Sequence, residues 1–214
     1  MKKYRFIHRL ATLFLCLFIL SSTILLTFHS TWYYKISKNY CDTRFSNSCD
    51  ATAITAANYD AYLLELINPR TNAISLPSYE LNAKDIHLSQ QLRCFLFTLY
   101  GICLFSSIIV ICSLYHLQNL RHYQFLLTGS LITFPVATIL LLSGGAILTG
   151  SFSRFFQLLK HGEQQIIHFS ELLEQLIYPG YTLSHILLFY LYLILIFLLC
   201  LILYKIFSRQ KNYF

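Results

Sequence analysis

Charge is what this chain has least of. Only 12% of its 214 residues are Asp, Glu, Lys or Arg, where a soluble domain carries about a quarter. That deficit excludes an ordinary water-soluble globule and directs attention to long apolar runs. The short patterns of common catalytic sites are missing too. There is no His-x-x-Glu-His, no Gly-x-Ser-x-Gly and no phosphate-binding Gly-rich loop. Eight histidines are present, but they are spread along the chain without metal-ligand spacing. On these absences the sequence reads as a non-enzyme with no cofactor and no metal.

What is present is four apolar runs without a charged residue inside: residues 10–28, 94–115, about 125–149 and 186–204, within spans expected at 10–28, 93–115, 124–149 and 183–206. Each has roughly the 20 residues that cross a hydrocarbon core of about 30 Å as a helix. The first run follows Lys2, Lys3, Arg5 and Arg9 like a signal peptide. It is too long for one, and no small-residue cleavage site follows it. Basic residues set the orientation. Segment 1–9, the link 116–123 with Arg121, and the tail 207–214 with Arg209 and Lys211 fall on the cytoplasmic side. Segments 29–92 and 150–182, which carry the acids, fall outside. The fold expected is an all-α membrane protein, a left-handed four-helix transmembrane bundle, with a small mixed α/β extracellular domain. In that domain "TWYYKIS" and "AISL" are candidate strands. "NYDAYLLELIN" reads as a helical turn or two. "GEQQIIHFSELLEQLIYPG" reads as an amphipathic helix ended by Pro179-Gly180. The net charge of +7 is explained by cytoplasmic anchoring and needs no nucleic acid.

Of seven cysteines, only Cys41 and Cys49 lie in a loop. An outer loop is oxidising, so a disulfide between them, worth about 2 to 3 kcal/mol, is one reading. A metal site is the other, and it lacks a second pair of ligands. In the third run Gly129, Thr133, Ala137, Gly145 and Thr149 recur at multiples of four residues, a row of small side chains along which another helix can approach. The partners expected are the bilayer and, laterally, other membrane proteins or a second copy.

The layout of four helices, a long first outer loop with a cysteine pair, a short inner link and a second outer loop resembles the claudin superfamily. Trp32 stands just after the first helix, and "QQLRC", with Arg93, resembles the family's Gln-x-x-Arg. The resemblance implies that Trp32 and Arg93 hold the outer domain against the helices and that Cys41 and Cys49 are its disulfide. The degenerate motifs are most like the fungal branches, which organise plasma-membrane zones or act in mating cell fusion. The expectation that follows is a plasma-membrane protein that organises a membrane zone or cell adhesion through a surface partner on an adjacent cell. The alternative is an auxiliary subunit or regulator of calcium or ion entry.

Overall fold

The computed structural model describes residues 2–30, 66–67, 83–118, 123–149, 151, 153–154 and 181–209. Four long helices carry nearly all of them: α1 (Lys2–Phe28), α2 (Ala83–Gln118), α3 (Gln124–Thr149) and α4 (Tyr181–Arg209). Each contains a stretch long and apolar enough to cross a membrane: Arg5–Phe28, Ser89–His116, Gln124–Ala146 and Leu183–Ser208. In hydrocarbon a backbone amide has no water to bond, so an apolar run of this length closes its hydrogen bonds within a helix. The chain is therefore a multi-pass membrane protein.

No strand occurs among the described residues, so the mixed α/β character expected of the outer domain finds no support there. Its candidate strands, residues 31–37 and 73–76, and the loop helix over 162–180 lie outside the described residues. Helix α2 starts at Ala83, within a stretch that reads as loop by its polarity. Lys84, Asp85 and His87 precede the apolar span, and a helix outside lipid need not be apolar.

The chain forms two compact units. The first consists of Met1–Leu26, Thr98–Ser143 and Leu188–Phe214; the second of Thr27–Phe97 and Gly144–Leu187. In the first unit α1 is the most enclosed element. Of its span 44% is buried, against 17% for α4. Ala11, Leu15 and Ile19, four residues apart and so on one face, are almost fully buried with Phe125 and Leu126 of α3 and Leu193 of α4. Aromatic contacts order the neighbours. Phe14 meets Phe105 of α2 edge-on at 5.8 Å. Phe134 of α3 meets Phe197 of α4 at 5.5 Å. Ser22 Oγ lies 3.4 Å from Cys103 Sγ across α1 and α2. Thr138 Oγ1 and Tyr190 Oη share a 2.9 Å hydrogen bond across α3 and α4.

The inside of this unit is smaller and more polar than its outside. Ser21, Thr23, Ser106, Ser113, Ser130 and Thr133 are buried, while Leu104, Phe105, Ile108, Ile111 and Ile139 are exposed. Lipid tails are as apolar as leucine, so burial of large apolar groups does not drive helices together here, and close backbone approach does. The hydroxyls of Ser21, Thr23, Ser106, Ser130 and Thr133 cost little, because they bond one turn back along their own helix. Thr23 donates to the Ile19 carbonyl at 2.7 Å and Thr133 to the Gly129 carbonyl at 2.8 Å.

At Gly129, α1 and α3 approach closely. A Cβ there would stand 2.8 Å from Leu15 Cδ2 and 3.2 Å from the Thr12 carbonyl oxygen. Leu15 can shift its far methyl, but the Thr12 backbone cannot follow. Gly129→Leu is expected to cost about 1–3 kcal/mol by overpacking. Gly101→Ala, with nothing within 4 Å of the new Cβ, should be neutral or stabilising by up to roughly 1 kcal/mol through helix propensity. Thermal unfolding of the two purified variants in detergent against wild type checks the pair. Equal melting temperatures would remove the close approach as a determinant of the fold.

Candidate active site

The second unit gathers one end of every helix: the end of α1, the start of α2, the end of α3 and the start of α4. It also holds every Asp and Glu of the sequence. Its described chemistry-bearing side chains are His29 and Ser30 after α1, His87, Ser89, Arg93 and Cys94 on α2, Arg154, and His185 on α4.

Helix geometry sorts those on α2. Ser89 and Arg93 are four residues apart and share a face, with Leu96 one turn further on. Ser89 is fully enclosed, Leu96 nearly so, and Arg93 is half-buried with its Nε atom removed from solvent. A guanidinium drawn into the protein within a membrane-spanning segment is costly, and such groups mark functional sites by default. His87 and Cys94, seven residues apart, lie on another face, and both are exposed. His87 sits two residues before the apolar span that begins at Ser89. His185 is half-buried at the start of α4. Among the described residues no three His, Cys, Asp or Glu side chains converge as a metal centre would require.

The residues singled out from sequence are distributed as follows. Arg93 belongs to this unit. Gly145 is buried here, and Thr149 is the last residue of α3. Gly129, Thr133 and Ala137 are buried in the other unit, so the row of small residues is divided between the two. The close approach at Gly129 is to α1 of the same chain. Trp32, Cys41 and Cys49 lie outside the described residues. His87 was not singled out by sequence. Its signal is positional: a histidine at a span boundary, six residues before a half-buried arginine.

The family model described as "Lipoprotein intramolecular transacylase Lit" matches residues 9–162, well over half of the chain. The chain belongs to the Lit family. Three solved structures of the membrane integral lipoprotein intramolecular transacylase Lit from Bacillus cereus have the same fold. One is 18% identical at a TM-score of 0.71, with 98% of each chain covered. A second, in which a histidine is replaced by arginine, is 18% identical at 0.73, covering 98% of this chain and 93% of its own. In a third that histidine is replaced by alanine; it is 17% identical at 0.71, with 98% and 96% covered. No curated protein sequence matches the chain.

These findings overturn the claudin-like reading. Four spans with two outer loops is a common way to arrange a membrane bundle, and Gln-x-x-Arg plus a cysteine pair is too short a motif to separate families that share it. With the resemblance go the contact organiser, the role in cell adhesion or cell fusion, the regulator of calcium entry and the partner on an adjacent cell. The support that the resemblance lent to a Cys41–Cys49 disulfide goes as well. The reading as a non-enzyme is also corrected, because the family is named for a catalysed reaction.

The burial of Arg93 yields a prediction on folding. Arg93→Ala removes the apolar stem as well as the cation and leaves its surroundings unsatisfied, at about 1–3 kcal/mol. Arg154→Ala, at an exposed position, should stay within about 0.5 kcal/mol of wild type. Melting curves of both variants in one detergent decide it, and equal losses would show that Arg93 is not structurally committed.

Proposed function

We propose that this chain is an intramolecular transacylase that moves an acyl group between two positions of one lipid-modified protein, with His87 as proton carrier and Arg93 as the cation facing the developing oxyanion. The observation that carries the proposal is the family match over residues 9–162, together with a histidine and a half-buried arginine on the first turns of α2.

The chemistry needs few parts. Donor and acceptor belong to the same molecule, so proximity comes with the substrate. An acceptor amine or hydroxyl attacks the ester carbonyl carbon, and its proton passes to the neutral imidazole of His87. The carbonyl oxygen carries the charge of the tetrahedral intermediate, where a fixed cation is worth most. The intermediate then breaks its original carbon–oxygen bond, and His87 returns the proton to the departing oxygen. One acyl bond forms and one breaks, with no co-reactant and no net proton change. No protein nucleophile is required. Side chains on a helix lean toward its N-terminus, so the long Arg93 side chain starts out toward the level of His87, though from a different face of α2. Both stand where a lipid-anchored substrate arrives by lateral diffusion, and low water there limits hydrolysis of the ester.

The structural relatives support the choice of histidine. The residue replaced in two Bacillus cereus structures stands two positions earlier in its own chain than His87 does here, and the chains are covered almost end to end. For orientation we propose both termini in the cytoplasm and the His87 end outside. Lys2, Lys3, Arg5, Arg9, Arg121, Lys205, Arg209 and Lys211 all belong to the other unit, as the positive-inside rule requires. The cytoplasmic membrane of the cell is the site proposed.

His87→Ala is expected to lower turnover by about 10²- to 10⁴-fold, the range of a lost general base, with melting temperature unchanged. Arg93→Lys keeps the charge but not the planar fork and should retain more activity than Arg93→Gln. Because the reaction is an isomerisation, substrate and product have the same mass. The measurement is therefore chromatographic separation of a diacylated lipopeptide and its positional isomer, assigned by fragmentation. Wild-type turnover with full activity in His87→Ala would remove His87 from the mechanism. No isomer formed by the wild type would remove the reaction.

A further inference from the structure

Within the first unit, α1 and α3 leave between them a groove of about 550 Å³, the size of a typical ligand pocket. Its walls are apolar: Leu13, Leu17 and Leu20 from α1, and Ile132, Val136 and Leu140 from α3. Thr12 and Thr128 also line it, but their hydroxyls are committed to the His8 and Gln124 carbonyls at 2.8 and 3.0 Å. The polar capacity of the groove is confined to one mouth, at His8 and Arg9. His8 is held there edge-on against Phe125 at 6.4 Å. Arg9 is exposed, and Arg5, also exposed, lies one turn earlier on the same face.

The length of the groove is informative. From Arg9 to Leu20 a helix rises about 17 Å, roughly half of the hydrocarbon thickness. It therefore runs from one interface to the midplane, the depth of one leaflet. The charge is informative as well. The unit holds eight Lys and Arg residues and no Asp or Glu, so its cations have no side-chain carboxylate of their own to pair with.

We propose that this groove is a binding site for an anionic phospholipid of the leaflet at the N-terminal end of α1, one acyl chain lying between α1 and α3 and the phosphate at Arg9 and His8. The site is separate from the transacylase chemistry, which is placed in the other unit, and it does not depend on that reading. Its role is to fill a gap that, among the described residues, no side chain fills, and to supply the counter-charge that the unit lacks.

Native mass spectrometry of the purified protein, released from nanodiscs of phosphatidylglycerol or of phosphatidylcholine, tests the proposal. Wild type is expected to retain one phosphatidylglycerol and no phosphatidylcholine. Arg9→Gln should weaken retention about five-fold, the effect of one basic side chain at an anionic surface. Val136→Phe, which fills the groove, should abolish it, while Leu195→Phe, on the exposed face of α4, should leave it unchanged. Equal retention of the two lipids, or retention of phosphatidylglycerol unaltered in Arg9→Gln, would overturn the proposal even if Val136→Phe fails to fold. A dimer in place of bound lipid would assign the groove to a second copy. Displacement of phosphatidylglycerol by a diacylated lipopeptide would assign it to the substrate. Either result would also overturn the proposal.

Discussion

Every polar group inside the hydrocarbon has to find its partner within the protein, and most of this structure follows from that constraint. It makes each span a helix and sends the hydroxyls of Ser21, Thr23, Ser106, Ser130 and Thr133 back to carbonyls of their own helices. Once bonded in this way, small hydroxylated residues can pack in the interior beside the buried Leu15, Ile19, Phe125 and Leu126, while many other large side chains face outward. The missing side chain of Gly129 lets Leu15 and the Thr12 carbonyl come close. A groove lined by α1 and α3 lies in the same unit.

The constraint also explains where the ionisable groups are. All the acids lie in the second unit, while half of the basic residues lie in the first without a carboxylate. Under the orientation proposed here the first unit is an anchor, whose charges would address the membrane surface. The second contains, by sequence, charges of both signs and five of the eight histidines. Arg93 stands between these regimes. It lies within the α2 span yet is half-buried, and its retention there is unexplained by anchoring alone.

How much of this was legible in the sequence follows from the same physics. The four spans are written as runs of Leu, Ile and Phe, because lipid selects composition over length. Gly129, Thr133 and Ala137 are visible as a row of small residues, but their partner is not. Nothing in "GSLITFPVA" says that Leu15 of α1 fills the notch. The start of α2 at Ala83 was hidden, because the helix there leaves the hydrocarbon and loses its apolar signature. Arg93 stood out in the sequence only through a motif shared with a different family. His87 did not stand out at all, since a single histidine has no period and no spacing to read.

Catalysis was the least legible feature, for a chemical reason. Sequence motifs record machinery that a protein must build from several residues at fixed spacing: a nucleophile beside its base, a metal between its ligands, a loop around phosphates. An acyl shift within one substrate needs none of these. The nucleophile, the electrophile and their proximity all arrive with the lipid-modified protein, and the enzyme adds a proton carrier, a cation and a dry interface. In the mechanism proposed here His87 and Arg93 on α2 would provide the first two, and the bilayer the third. The absence of motifs in this chain is therefore what such a reaction predicts, and it cannot be read as absence of an enzyme.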